Sequence, residues 1–252
     1  MGASDIGTGT KTIMALIVAE ELQVEPEAVQ IEHADTGTTQ YASPSGGSKT
    51  VPTEGPAVRE AALHVKHQLL SMAAEALQQP LNELVLQGDS IQVQGSREKR
   101  IKVVDLAGLK EQRVIVGIGH KPPNPENKAV TPFGAQFCEV EVDTLTGEVR
   151  VLRFVAAHES GRVMDRLTFD SQVIGGVTMG VGLGMTEFRV LDARGTGKLC
   201  NRNWHDYKLP TMLDSPLEIT SVAVDLPDQE ANITGAKGLG EPVTVPTAAA
   251  IA

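Results

Sequence analysis

The chain has 252 residues, 22 basic side chains against 32 acidic ones, a formal charge of -10 and a 41% hydrophobic content. That length supports one large domain or two lobes around a sizeable core. The acidic balance and the 3% of aromatic residues argue against a surface that tracks phosphate backbones or stacks on bases, so nucleic acid is not an expected partner. Backbone N–H groups add no formal charge, so a local anion pocket is still open to this chain.

Cys138 and Cys200 are the only cysteines. Two scattered thiols fit a reducing compartment, and there is no Cys-x-x-Cys pair for zinc or an iron–sulfur cluster. Cys138 falls on an alternate position of a strand pattern and reads as a small buried hydrophobe. No apolar run approaches the roughly 18 residues of a membrane helix and no signal peptide is visible. The expectation is a cytoplasmic protein, or a periplasmic one if it is exported with a partner that carries the signal.

In chain order, Gly7-Thr8-Gly9-Thr10 leads into a helix over Lys11 to Leu22 with Ile13, Leu16 and Ile17 on its apolar face. Val29 to His33 alternates like a short strand. A polar loop containing Ser45-Gly46-Gly47-Ser48 precedes a long helix from about Glu54 to Leu77, which Pro80 ends. Leu84 to Leu86 and Ile91 to Val93 read as a hairpin around Gly88-Asp89. Leu106 to Leu109 suggests a turn of helix and Arg113 to Ile118 a strand.

Lys121-Pro122-Pro123-Asn124-Pro125 marks the boundary between a first lobe, 1–120, and a second, 121–252. The second lobe opens on an alternating hairpin, Gln136 to Asp143 and Glu148 to Ala156, turning at Thr144 to Gly147. Phe169 to Leu183 reads as a glycine-rich apolar helix that includes Gln172, its glycines suited to a cofactor or a neighbouring backbone. Strands are expected near Thr186 to Leu191 and over Leu217 to Asp225. The expected fold class is α+β (mixed α/β): helices on small mixed or antiparallel sheets in two lobes, with a ligand at the seam.

The last conspicuous stretch is Gly235-Ala236-Lys237-Gly238-Leu239-Gly240-Glu241-Pro242. Glycines here let the backbone come close to a ligand, and Pro suits a first helical turn. Glu241 then stands at a helix start, either as an ordinary favourable charge on the helix dipole or as a held functional carboxylate. Gly7 to Thr10, Gly46 to Ser48 and Gly238 to Gly240 each precede a probable helix, where unpaired N–H groups bind anions. Several such loops together suit a large, polar, phosphate-bearing cofactor. None has the spacing of a Walker loop or of a dinucleotide fingerprint.

Gly7 to Thr10, Ser45 to Ser48, Phe133-Gly134-Ala135-Gln136-Phe137, the hairpin Glu139 to Val151, Gln172-Val173-Ile174-Gly175-Gly176 and Gly235 to Pro242 occur in that order along the whole chain. Together they resemble the C-terminal molybdopterin-binding domain of the xanthine dehydrogenase/aldehyde oxidoreductase family of molybdenum hydroxylases, the bacterial aldehyde-type large subunit above all. The resemblance implies that Glu241 is the general base, deprotonating a water-derived hydroxyl for attack on an aldehyde carbon or a ring carbon next to nitrogen. A base in a glycine loop beside an apolar wall is expected to be buried and its pKa raised.

The resemblance also implies a molybdenum-pyranopterin, as molybdopterin or its cytosine dinucleotide, contacted by Gly7, Thr8, Gly9, Thr10, Gly46, Gly47, Ser48, Gln172, Gly238 and Gly240. Molybdenum is held by the pterin dithiolene, with no protein metal ligand. Iron–sulfur clusters and FAD belong to partner chains, and an upstream half of the molybdenum subunit completes the substrate pocket for an aldehyde or N-heterocycle. The upstream half and a helix continuing past Ala252 are expected from the family and absent here. The chain therefore reads as a split subunit or a fragment, with a non-catalytic cofactor- or partner-binding module as the alternative.

Two departures stand out. Thr8 occupies a position where relatives often carry glutamine, and Glu159-Ser160-Gly161-Arg162-Val163-Met164-Asp165-Arg166 replaces an Asp-x-Gly-x3-Asn-Pro turn. His64 and His67 read as a solvated helical face rather than a metal pair. His158 and His205 read as structural, and Trp204 and Tyr207 as packing or cofactor-lining residues.

Overall fold

The computed structural model describes residues 1–96, 98–106, 110 and 114–252. The chain divides into two compact units, Met1–Lys128 with Gln229–Gly235, and Ala129–Asp228 with Ala236–Ala252. Among the described residues there are four α-helices and two three-stranded sheets, the mixed α+β class expected from the sequence. No described helix is long and apolar enough to cross a membrane.

The first unit rests on two helices, α1 (Thr10–Leu22) and α2 (Thr50–Leu77). α1 buries Ile13, Met14 and Ile17. Its C-terminal Glu21 is 8% exposed. That carboxylate is matched by Arg59 at 2.7 Å and Lys66 at 3.4 Å, both from α2. α2 begins a turn earlier than its apolar face predicts. Pro52 can occupy that added first turn because its missing N–H would have had no helical partner. At Gly55 a Cβ would stand 3.3 Å from Ile17 Cδ1, so the two helices pass closely there.

Beyond α2, β1 (Leu84–Gln87), β2 (Ser90–Val93) and β3 (Arg100–Lys102) form an antiparallel sheet in the order β1-β2-β3. Leu84, Leu86 and Ile91 close over Leu69 and Ala73 of α2, with Leu106 beside them. The expected hairpin is present, with Leu86 opposite Ile91 and β3 as an added edge. The helical turn expected at Leu106 to Leu109 lies, beyond Leu106, outside the described residues, as does Arg113.

Two expected strands are not formed. Residues 114–118 have no ladder partner. Their backbone lies on α2 instead, where a Cβ at Gly117 or Gly119 would come within 2.2 Å of Ala61 O or 2.0 Å of Ala57 O. Ile118 N donates to His64 Nδ1 at 3.3 Å, and Gln68 Nε2 donates to Val116 O at 2.9 Å. Helix side chains thus take the polar groups a strand partner would have taken. Val29 to His33 is likewise extended without a ladder; part of its backbone bonding goes to the chain start, Met1 N donating to Glu32 O at 2.9 Å.

The second unit is built on β4 (Phe133–Val142) and β5 (Val149–Glu159), antiparallel, with β6 (Glu218–Val224) parallel to β5. The register sets Gly134 opposite His158 and Gln136 opposite Ala156, with an irregularity between Glu139 and Val140. Between β5 and β6 comes α3 (Arg166–Met185), capped by Asp165, whose side chain accepts from Thr168 N at 2.8 Å. The last helix, α4 (Gly240–Ile251), carries Glu241 in its first turn.

Phe154, Phe169, Val173, Val177, Val181 and Val243 make the core of this unit. Each such side chain contributes about 1.5–3 kcal/mol by leaving water. α3 and α4 meet through small residues at every fourth position. A Cβ on Gly176 would stand 2.7 Å from Val243, one on Gly180 would stand 2.3 Å from Thr247, and one on Gly184 would stand 3.3 Å from Ala248. At these positions the glycines of α3 serve a neighbouring helix. The strand expected near Thr186 to Leu191 shrinks to one bridge, Leu191 to Leu199. Asn201 satisfies that segment instead, accepting from Val190 N at 3.0 Å and donating to Phe188 O at 2.6 Å.

Candidate active site

In the first unit, two glycine loops open helices. Gly9, with φ 80, is the residue before α1 and adopts a left-handed conformation suited to glycine. The amides of this loop converge on Asp5: Gly7 N and Thr8 N donate to Oδ1 at 3.0 and 3.1 Å, and Lys11 N to Oδ2 at 3.1 Å. Burial opposes ionisation of Asp5, but the amides of Lys11, Gly7, Gly9 and Thr8 outweigh it and hold the carboxyl below its ordinary pKa. An internal anion therefore takes the amides that the sequence offers to a phosphate. Thr8 Oγ1 and Thr10 Oγ1 are 3.0 Å apart, and Thr10 is buried.

The turn Ser45 to Lys49 leads into α2, with φ 84 at Gly47 and 51 at Ser48. Side-chain space beside Gly46 and Gly47 is open, since a Cβ on either meets nothing within 4 Å. That clearance suits a ligand lying directly against the backbone.

In the second unit, Gln172 is half-buried on α3, and its side-chain amide makes no hydrogen bond to another described residue. Gly175, three residues on, also faces open space. Gly238 and Gly240 flank Leu239 immediately before Glu241, and α4 starts at Gly240 rather than behind the glutamate. Glu241 is exposed in this chain. The burial expected from its glycine loop is not found.

The loop that carries Glu241 is held at both ends by residues that sequence patterning did not single out as functional. Ahead of it, Lys237 N donates to Ser160 O at 2.6 Å, and Ala236 bridges to Gly161. Lys237 Nζ reaches Glu159 Oε2 at 2.7 Å, with side chains 9% and 2% exposed. Behind it, Gln136 Nε2 donates to Val243 O at 2.8 Å, while Gln136 Oε1 accepts from Thr247 Oγ1 at 2.8 Å.

Gln136 Nε2 is also 2.8 Å from His158 Nε2. With that nitrogen accepting, the imidazole proton sits on Nδ1. His158 is buried, and burial pushes its pKa below the usual imidazole value, which favours this neutral form. Gly134 is what admits the ring, since a Cβ there would lie 2.3 Å from it. Cys138, the half-buried thiol on the same strand, donates to Ala250 O at 2.9 Å, and burial raises its pKa.

Of the remaining conspicuous residues, Tyr207 takes a structural part, whereas the packing expected of Trp204 is not found and His205 is exposed. Tyr207 donates to Glu187 at 2.7 Å, while Trp204 is exposed. His64 accepts from the backbone, as described, and among the described residues no group of His, Cys, Asp or Glu is arranged to hold a metal ion.

A family profile described as "Molybdopterin cofactor-binding domain" matches residues 1–216. The 6-hydroxypseudooxynicotine dehydrogenase complex subunit gamma of Paenarthrobacter nicotinovorans is 32% identical over 100% of this chain and 32% of its own length. The putative xanthine dehydrogenase molybdenum-binding subunit of Escherichia coli is 32% identical over 99% of this chain and 33% of its own. Those alignments extend through the glutamate loop, which the profile does not reach. Among solved structures, reconstituted CO dehydrogenase from Oligotropha carboxidovorans superposes with a TM-score of 0.86 at 28% identity, covering 98% of this chain and 31% of that one. The chain spans about a third of the length of these relatives. By the profile and by likeness along its whole length, the chain belongs to the molybdopterin cofactor-binding domain family that includes xanthine dehydrogenase and CO dehydrogenase large subunits.

Proposed function

We propose that this chain is the cofactor-binding part of a molybdenum hydroxylase that oxidises aldehydes or N-heterocycles with water-derived oxygen, and that Glu241 is its general base. The observation that carries the reading is the placing of Glu241. It stands in the first turn of α4, on a glycine loop pinned ahead of it by Lys237 and backed by the Gln136 bond to Val243 O. A carboxylate so placed can take up a proton at Oε while its backbone stays fixed.

The residues present fit a pterin cofactor: open clearance at Gly46 and Gly47, and an unengaged Gln172 amide beside Gly175. Gly46, Gly47 and Ser48 in the first unit, and Gln172, Gly238 and Gly240 in the second, are the residues that would each contact it. The loop Gly7 to Thr10 would contribute chiefly by shape, since Asp5 engages its amides. A molybdenum-pyranopterin, when bound, supplies the oxygen-transfer and two-electron chemistry that no side chain here provides. The chain's own part is to orient the substrate-side carboxylate and to bind by backbone contact.

Activity is expected only with partner chains: an upstream part of the large subunit, an iron–sulfur chain and an FAD chain. The relatives' names, a "complex subunit gamma" and a "molybdenum-binding subunit", support that reading. The test is Glu241→Gln in the assembled enzyme. Turnover is expected to vanish with bound molybdenum unchanged; retained turnover removes Glu241 as base, and no turnover from a wild-type assembly loaded with molybdenum favours a non-catalytic module.

A further inference from the structure

We infer that Lys237 is a positioning residue for Glu241, acting through a buried ion pair with Glu159 that fixes the intervening glycine loop. The inference rests on the reading of Glu241 as the base. From Gly235 to Gly240 three residues are glycine and one is alanine, so the loop has few side chains with which to hold a shape. Lys237 is its only charged residue. It turns inward, to Glu159 Oε2 at 2.7 Å, with Asp228 Oδ2 at 3.7 Å and Thr131 O at 3.4 Å.

Glu159 ends β5, and its other oxygen, Oε1, accepts from Gly161 N at 2.7 Å. One carboxylate therefore grips both sides of the Gly161 to Ala236 bridge, one through a backbone amide and the other through the Lys237 side chain. Ser160 O fixes the Lys237 amide between them.

Energetics say what this pair is for. A buried ion pair gains little over an apolar pair of the same shape, because both charges leave water. Removing one partner alone is costly, because the other charge is left buried. What the pair adds over an apolar contact is a fixed place: the ammonium meets Glu159 Oε2 as a charge contact without hydrogen-bond alignment, and it donates to Thr131 O at 3.4 Å. Glu241 is four residues downstream, and a shift of about 1 Å in a reacting group can cost about 100-fold in rate.

The experiment compares Lys237→Met, Glu159→Gln and the double variant in the assembled molybdenum enzyme, with Glu241→Gln in parallel. Each single variant leaves a charge buried and is expected to melt earlier. The double variant removes both charges, so its Tm should return toward wild type. If Lys237 positions Glu241, the double variant still loses about 10- to 100-fold in kcat at unchanged KM and molybdenum content. Amide exchange across 236–241 should also be faster in it.

A merely structural pair predicts that rate and exchange recover along with Tm, and that result overturns the inference. If the single variants fail to assemble, the double variant and Lys237→Arg, which keeps the charge and should restore slow exchange, still decide it. Unchanged exchange in the double variant overturns the inference whatever the activity. Retained turnover in Glu241→Gln removes the base reading instead, and the exchange data then show separately whether the pair fixes the loop.

Discussion

Gln136 on β4 donates its side-chain amide to the main-chain carbonyl of Val243, 2.8 Å away in the first half of α4. The same amide group accepts from Thr247 and meets His158, so one glutamine joins a strand, a helix and an imidazole. Glu241 lies two residues before the carbonyl that Gln136 holds. The start of α4 is therefore fixed by a side chain from the sheet as well as by its own helical bonds.

Gln136→Glu keeps the size and the acceptor for Thr247 but cannot donate to Val243 O when ionised. It is expected to destabilise the chain by about 1–3 kcal/mol, the penalty for leaving buried polar groups unanswered. Urea denaturation of the purified chain measures this. Stability within ~0.5 kcal/mol of wild type would show that the bond is replaceable.

His158 gives stability a pH dependence whose sign can be worked out. Burial depresses its folded pKa below 6.5, so near that pH the unfolded chain binds more protons than the folded one. Stability from this group is fully present above the ordinary imidazole pKa and declines as pH falls below it toward the folded pKa. A protonated ring also could not accept from Gln136. His158→Gln should flatten the stability curve in that window, and parallel curves for both proteins would count against the assignment.

The glycines of α3 should separate sharply under substitution. Gly180→Val drives side-chain atoms into Thr247, 2.3 Å from an added Cβ, and should cost several kcal/mol or prevent folding. Gly175→Ala meets open space and should stabilise by about 0.4–1 kcal/mol through the unfolded state. Thermal melting of the two variants checks the contrast, and equal melting points would contradict the helix contact.

Gly46→Ala tests the loop before α2. An added methyl meets no protein atom within 4 Å, so the fold should survive, with Tm within about 2 °C of wild type. If the pterin lies against this backbone, the methyl fills its space, and pterin content of the assembled enzyme should fall several-fold. Full occupancy would remove Gly46 from the cofactor-binding set.

Much of this fold was legible from periodicity. The β4–β5 hairpin alternates along its length, and α2 and α3 carry apolar residues for several turns, so local pattern and tertiary burial agree. Residues 29–33 also alternate, and 114–118 are a β-branched apolar run, yet neither forms a ladder, and 186–191 keeps a single bridge. Alternation reports that one side is apolar; a strand needs a partner to bond, and here α2 side chains and Asn201 took that part.

By itself the sequence determined the ordered set of glycine loops, the carboxylate at Glu241 and the family they belong to, because these are fixed by residue type and spacing. Only the tertiary structure decided that Asp5 claims the amides of the first loop, that Gly176 and Gly180 serve α4, and that Glu159, Gln136 and Lys237 hold the glutamate's loop. Each of those is a contact whose partner is distant in the sequence or oriented by a local turn, and a hydrogen bond or an ion pair depends on direction and distance that composition does not carry.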